Sequence, residues 1–283
     1  MRTHIDWLTF TMPMIYGEEN DEAYALAIQA GFMDMFSEDL VRDIFGGKWS
    51  KAQRSRAPYT DTWTDEHNGI SLYASPNLTH CCIEISGQGC ERIIALGKIQ
   101  AILAGSAQRV TRIDIASDIE TSTQPAEFVS IVKHERMRAN GTQNSETGQT
   151  CYVGSKKSDR YARVYRYYKP HPRSHLLRIE HVFRRKYAKS VVQAILDTSI
   201  GAVAKAAGNA FGWAHSDWNA EATEHADISI VAAERGQRTT VTWLVRSVAP
   251  AIRRLIEDGT IRDPQAFFEQ YFLPDQGHML DNA

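Results

Sequence analysis

The chain has 283 residues, with 32 Lys and Arg against 34 Asp and Glu, so its formal net charge is −2 at pH 7. It is 43% hydrophobic and 23% charged, a composition that excludes a disordered or collagen-like chain. No apolar run approaches the roughly 18 residues that span a bilayer, and no signal-peptide core is found, so we expect a cytoplasmic protein that does not bind membranes. The near-neutral charge argues at first sight against nucleic-acid binding.

Hydrophobic periodicity and turn residues predict strands and helices along the first two thirds of the chain. In chain order they predict a strand (5–11), a helix (21–45), two strands (49–63, 70–85), a helix (90–103), a strand (110–119), a helix (125–138), a loop (140–149) and three strands (150–153, 161–169, 175–184). From residue 187 the pattern is mainly helical, most clearly over 240–257 and 264–272. We therefore predict an α+β fold, with a central, mostly antiparallel sheet flanked by helices over residues 1–190. A helical C-terminal extension follows over 191–283.

The charge is distributed unevenly along the chain. Between Gly154 and Lys189 there are twelve Lys and Arg residues against Asp159 and Glu180, a net charge of +10 that leaves −12 for the rest. Five tyrosines are interleaved with these basic residues. Basic side chains neutralise phosphates and aromatic rings stack on unpaired bases, so this segment indicates a nucleic-acid-binding surface. A solvated hairpin is the alternative interpretation.

The strand predicted at 110–119 carries acids on one face. Because side chains alternate along a strand, Asp114 and Asp118 share a face across the small Ala116, about 7 Å apart. Two such carboxylates repel each other unless a cation lies between them. A hard divalent ion would suit these oxygen ligands, and salt bridges to the many arginines are the alternative.

The strand predicted at 161–169 places Tyr161, Arg163, Tyr165, Tyr167 and Lys169 on one face. A tyrosine hydroxyl can attack a phosphodiester if neighbouring cations stabilise the charge that develops. The next strand has Glu180 as its only acid. This carboxylate predicts either a salt-bridge hub or a third metal ligand, and the sequence leaves both open.

Several short motifs together resemble the replication initiation factor (Rep_trans) family, which comprises rolling-circle replication initiators of plasmids and filamentous phages and related relaxases. In chain order the motifs are IDWL at 5–8, ISGQGC at 85–90, RIDIASD at 112–118, YVGSKKSDR at 152–160, RVY at 163–165 and RIE at 178–180. Each motif is short, and the resemblance rests on their order and spacing over residues 4–190.

The resemblance implies a site-specific, metal-dependent DNA nickase and strand transferase in a bacterial host cell. Tyr165, in the motif Arg163-Val164-Tyr165, would attack one origin strand, form a 5′-phosphotyrosyl link and leave a 3′-hydroxyl primer. Its implied partners are origin DNA, single-stranded or supercoiled, and the host helicase and replication machinery. A homodimer is left open.

The resemblance also implies a metal site and a DNA-binding surface. Asp114, with Asp118, Glu180 or Asp6 nearby, would hold Mg²⁺ or Mn²⁺ against the scissile phosphate. The predicted DNA-binding residues are Lys156, Lys157, Arg160, Arg166, Lys169, Arg178, Arg184 and Arg185.

The sequence departs from the patterns of these proteins in two ways. The family's nucleophile is usually followed by Asp or Asn and then Lys, whereas here Arg166-Tyr167 follows, so Tyr167 is a rival or second nucleophile. The His-hydrophobic-His metal motif of HUH nucleases does not occur in the sequence. We therefore expect a fold related to those nucleases that lacks their motif.

Other functions fit part of the same evidence. A non-enzymatic DNA-binding regulator of a phage or plasmid would use the basic segment, and in it Tyr165→Phe would have no effect. The stretch 199–208 resembles the start of a helix-turn-helix, although an Ala-rich packing helix explains it better. A conjugative relaxase of the same family is a further alternative.

Overall fold

The structure is a computed structural model that describes residues 1–14, 21–53, 55–67, 69–130, 139–145, 148–166, 175–211, 228 and 249–267. The chain divides into two compact units, Met1–Ile230 and Val231–Ala283. Among the described residues, no helix has the length and apolar character needed to cross a membrane.

The first unit is built on a ten-stranded sheet in which neighbouring strands are antiparallel. The strand order is β2-β3-β4-β5-β1-β6-β10-β9-β8-β7. The strands are β1 (Arg2–Pro13), β2 (Trp49–Lys51), β3 (Asp61–Asp65), β4 (Ile70–Ala74), β5 (His80–Ile85), β6 (Val110–Glu120), β7 (Ala139–Ser145), β8 (Gly148–Val153), β9 (Arg160–Arg166) and β10 (Leu176–Arg184). This architecture confirms the predicted α+β class.

Seven described helices belong to the first unit. They are α1 (Asp21–Met35), α2 (Glu38–Phe45), α3 (Gly87–Ala95), α4 (Ile99–Ser106), α5 (Pro125–Ser130), α6 (Lys186–Asp197) and α7 (Ile200–Ala210). Their buried apolar residues pack with alternate residues of the strands, such as Leu8, Ile83, Ile113 and Ile115, in the main core. We call this side of the sheet the helical face.

Several predicted elements differ in their bounds. The helix expected over 21–45 is two helices, because Ser37 caps a new N-terminus and accepts a hydrogen bond from the Leu40 amide. The helix expected over 90–103 is also divided, and Gly97 lies in the left-handed region (φ 67°) between α3 and α4. The loop predicted at 140–149 was wrong, since residues 139–145 pair with β8 as strand β7.

The other side of the sheet, which we call the polar face, carries the charged residues of β6, β9 and β10. Asp114 and Asp118 lie on it in β6, as predicted, while Ile113 and Ile115 lie in the core beneath. A β-bulge at Asp6 interrupts the pairing of β1 with β6 between Ile5 and Trp7. The extra residue re-aims the strand, so that Ile5 and Leu8 both reach the core and Asp6 contacts the polar face.

Helix α6 spans residue 190 and helix α7 follows it, and both belong to the first compact unit. Both contact the sheet, and residues Ala202, Val203, Ala204 and Ala207 of α7 are buried. This burial supports the packing-helix interpretation of the stretch 199–208. In the second unit the structure describes α8 (Ala249–Glu257). The predicted division at residue 190 stays a prediction.

Candidate active site

The register of three strands brings the predicted residues together on the polar face. In the pairing of β9 with β10, Tyr165 lies opposite Arg178 and Arg163 lies opposite Glu180. In the pairing of β10 with β6, Arg178 lies opposite Asp118. Paired residues share a face of the sheet, so three separate sequence motifs meet at one place.

Glu180 lies at the centre of this cluster. The Tyr165 hydroxyl donates a hydrogen bond to one Glu180 carboxylate oxygen, and Arg163 Nε donates to the other. Glu180 is fully buried, whereas Tyr165 is half-buried and Arg163 is 28% exposed. Burial, together with the charges of Asp6 and Asp114, raises the pKa of Glu180 to about 7 against the opposing effects of Arg163 and of the Tyr165 hydrogen bond.

Asp114 forms an ion pair with an arginine of its own strand. Arg112 Nε and Nη2 donate to the two Asp114 oxygens at 2.9 and 2.6 Å, and Arg163 Nη2 lies 3.6 Å from the carboxylate. Asp114 is completely buried, and burial raises its pKa despite the two arginines. Arg112 precedes Asp114 by two residues, so strand alternation could have assigned it to the site.

Asp118 forms an ion pair with Arg178, which lies opposite it on the neighbouring strand β10. Arg178 Nε and Nη2 donate to the two Asp118 oxygens at 2.6 and 2.7 Å, and Nη1 donates to Asp6 Oδ1 at 2.8 Å. His4 Nε2 lies 3.4 Å from the same guanidinium. Burial alone would raise the pKa of Asp6, but the hydrogen bond with His4 and the charge of Arg178 lower it. His4 is a site residue that the sequence analysis missed.

A hard cation would find suitable donors in this cluster, because Asp6, Asp114 and Glu180 offer only oxygen ligands and their charges interact. The carboxylates are arranged as ion pairs with arginines, which was the alternative considered for the acidic strand. Within the described residues, no three His, Cys, Asp or Glu side chains are arranged to hold a metal ion. The carboxylates are donors of the type that Mg²⁺ or Mn²⁺ prefers, but the described side chains form ion pairs and not a coordination shell, so the metal site stays a prediction.

Comparisons with known proteins bear on the fold. A rolling circle replication initiator protein from Geobacillus stearothermophilus has a similar structure, with a TM-score of 0.51. The two chains are 17% identical, and the match covers 74% of this chain and 85% of that one. At this identity the likeness shows a shared fold. No protein-family model matches the chain, and no curated protein matches it either.

Four of the predicted DNA-binding residues lie around the β8–β9 hairpin and the end of β10. Lys156 lies over the Tyr152 ring at 3.7 Å, and Lys157 is exposed. Arg184 donates to the Lys156 carbonyl oxygen at 2.8 Å, and Arg160 lies over the Tyr187 ring at 5.3 Å. Lys156, Lys157 and Arg184 thus form a basic surface at the hairpin end of β9, whereas Arg160 lies against helix α6.

The remaining predicted DNA-binding residues are placed differently. Arg178 is only 1% exposed, and Arg166 donates to the carbonyl oxygens of Thr121, Thr123 and His175. Both guanidinium groups therefore bind the protein's own carbonyl and carboxylate oxygens. Arg185 is 80% exposed and lies 3.2 Å from Asp159. Tyr167 and Lys169 lie outside the described residues.

Proposed function

We propose that the protein initiates rolling-circle DNA replication by nicking one origin strand with Tyr165. One observation carries this proposal: a half-buried tyrosine hydroxyl donates to a buried carboxylate that also binds an arginine. A nucleophile, a proton acceptor and a cation for the developing charge thus lie within one hydrogen-bonded group. The shared fold with a replication initiator supports the same function.

In the proposed reaction, Tyr165 Oη attacks the phosphorus of the scissile phosphodiester while its proton passes to Glu180. The new bond joins Oη to phosphorus, and the bond from phosphorus to the 3′ oxygen breaks. The departing oxygen takes up a proton from water and becomes the 3′-hydroxyl that primes synthesis. Arg163, whose guanidinium lies 5.9 Å from the Tyr165 ring centre, stabilises the negative charge on the phosphorane.

Two roles were open for Glu180, a metal ligand and a salt-bridge hub. Its two oxygens bind Tyr165 and Arg163, so we assign it the transfer of the Tyr165 proton. Asp6 and Asp114 are then the first candidates to hold Mg²⁺ or Mn²⁺. A bound divalent ion would polarise the phosphate oxygens of the scissile group. Arginines bind both oxygens of Asp114 and of Asp118, but Arg112 is 23% exposed and Arg178 only 1%, so Asp118 is the least available of the predicted ligands.

The test incubates the protein, Mn²⁺ and a labelled single-stranded oligonucleotide carrying the origin of its own replicon, and measures the covalent adduct on a denaturing gel. Tyr165→Phe should reduce adduct formation by at least about 1000-fold, because it removes the nucleophile. Tyr161→Phe is the matched control, since this tyrosine lies on the same strand and face but is only 5% exposed. Adduct formation by Tyr165→Phe at the parent rate would refute the assignment. Host helicase binding, dimerisation and cytoplasmic location stay predictions.

A further inference from the structure

The polar face carries aromatic–arginine pairs well beyond the basic hairpin. In β1, the Trp7 ring lies 4.6 Å from the guanidinium carbon of Arg112. Further across the sheet, in β4, the Tyr73 ring lies 4.0 Å from the guanidinium carbon of Arg56. Tyr59 lies beside Tyr73, with 6.2 Å between the two ring centres. Tyr59 and Tyr73 lie outside the six short sequence motifs, and Trp7 lies in the first of them.

Hydrogen bonds and strand register connect these pairs to the active site in one row. Arg112 joins Trp7 to Asp114, and Trp7 lies opposite Asp114 in the register. Trp7 Nε1 donates to Thr9 Oγ1 at 3.0 Å, and Thr9 lies opposite Glu84 of β5.

Glu84 completes the row at its far end. It accepts hydrogen bonds from Arg56 Nη1 at 2.7 Å and from the Tyr73 hydroxyl at 3.2 Å. The row therefore runs obliquely across β6, β1, β5 and β4, because Trp7 is in register with Asp114 whereas Tyr73 is in register with Cys82 and, through it, with Thr11.

The row is long enough to contact several nucleotides of a single strand. Strands lie about 4.8 Å apart, which puts Trp7 about 14 Å and Tyr73 about 24 Å from β9 when measured across the sheet. Trp7 is also displaced from Tyr165 along the strands, by the four residues that separate Asp118 from Asp114. The rings are neither buried nor fully exposed, and the Arg56 side chain is 45% exposed. Half-exposed rings fixed in position by arginines can stack on unpaired bases at low entropic cost.

We propose that Trp7 and Tyr73 form a second subsite, which stacks unpaired bases of the strand held at Tyr165. This inference rests on the proposed function and names where the flanking part of the substrate lies. The subsite binds by stacking rather than by charge, because Glu84 pairs with Arg56 and Asp114 pairs with Arg112. Tyr165 is in register with Asp118 and Trp7 with Asp114, so the bound strand would run obliquely over β10 and β6 from Tyr165 to Trp7.

The experiment measures the fluorescence anisotropy of a labelled single-stranded oligothymidine of about 16 nucleotides. The parent is the full chain carrying Tyr165→Phe, which prevents cleavage. In it, Trp7→Leu and Tyr73→Leu should each weaken binding by about fivefold or more, and Trp7→Phe should retain stacking and affinity. Trp63→Leu is the matched control, because Trp63 also lies beside a cation, Lys51 at 5.6 Å, but lines a cavity on the helical face.

Salt dependence separates stacking from charge. The slope of log affinity against log salt should stay unchanged in Trp7→Leu and Tyr73→Leu, and should decrease in Lys157→Ala, which removes a phosphate contact. Unchanged affinity in both aromatic variants would overturn the proposal, and so would an equal loss in Trp63→Leu. If Trp7→Leu does not fold, as judged by circular dichroism, Tyr73→Leu decides, since Tyr73 lies away from the buried cluster.

The outcomes for the subsite and for the proposed function can be told apart. If wild-type protein forms the covalent adduct while both aromatic variants bind oligothymidine normally, nicking stands and the subsite is refuted. If no adduct forms but both aromatic variants lose affinity selectively, the subsite stands and the nicking function is refuted.

Discussion

Two arginine–carboxylate pairs lie side by side on the polar face, and they differ in exposure. Arg178 and Asp118 are 1% and 3% exposed, and they connect β10 to β6 and, through Asp6, to β1. Arg163 is 28% exposed and binds Glu180 beside the half-buried Tyr165. The enclosed pair can hold only the protein's own strands, whereas the accessible pair can meet a phosphate. Similar ion pairs thus support structure in one place and reactivity in the other.

The largest expected effect is on the accessible pair. Glu180→Gln should lower the rate of adduct formation by about 100- to 10,000-fold, because the amide cannot take the Tyr165 proton. Rapid-mixing assays on the labelled origin oligonucleotide would measure this rate. Glu120→Gln, an exposed acid at the end of β6, should leave the rate unchanged. A rate within twofold of wild type in Glu180→Gln would show that another group accepts the proton.

The enclosed pair should contribute to folding rather than to chemistry. Arg178→Met should lower the free energy of unfolding by about 3–5 kcal/mol, because it leaves Asp118 buried without its partner. Urea denaturation checks this value. Arg185→Met is the control and should change stability by less than about 1 kcal/mol, since the Arg185 side chain is 80% exposed. Equal losses in the two variants would contradict the distinction between enclosed and exposed pairs.

A smaller effect concerns the predicted metal. Asp114→Asn should weaken Mn²⁺ binding by at least about tenfold, measured by calorimetry on the unliganded protein, because it removes a charged donor. Asp118→Asn should weaken binding less, because the Arg178 that holds Asp118 is 1% exposed, whereas the Arg112 that holds Asp114 is 23% exposed and can move aside for an ion. Unchanged Mn²⁺ affinity in Asp114→Asn would show that the ion, if bound, lies elsewhere.

A pH-dependent effect on stability is expected from His181, which lies on the helical face of β10. Complete burial lowers the pKa of His181 to about 3, whereas an unfolded histidine titrates near 6.5. The unfolded state therefore binds an extra proton as pH falls from about 6.5 towards 3, and stability should fall by up to about 1.4 kcal/mol per pH unit. His181→Phe should flatten this pH dependence of the urea midpoint. An unchanged profile would assign the acid sensitivity to other groups.

Local sequence patterns predicted the faces of the site well. Period-two alternation placed Asp114 with Asp118 and Tyr161 with Arg163 and Tyr165, and the structure confirms these groupings through the register of β6, β9 and β10. Alternation acts within one strand, so it needs no knowledge of neighbouring strands.

The partners of the acids could not be predicted in the same way. Arg178 reaches Asp118 only because β10 lies beside β6, and this strand order depends on the whole sheet. The bulge that turns Asp6 towards Arg178 is likewise set by pairing with β6. Strand β7 was predicted as a loop because its polar, glycine-containing residues gain their strand conformation from pairing with β8.

The central claim is that Tyr165 forms the covalent link to DNA, and peptide mapping of the adduct tests it most directly. Trypsin cleaves after Arg163 and Arg166, so Tyr165 and its rival Tyr167 fall in different peptides. After nuclease digestion, mass spectrometry should find a nucleotide, joined through its 5′ phosphate, on the peptide 164–166. A nucleotide on the peptide that begins at Tyr167, or on any other tyrosine, would contradict the account.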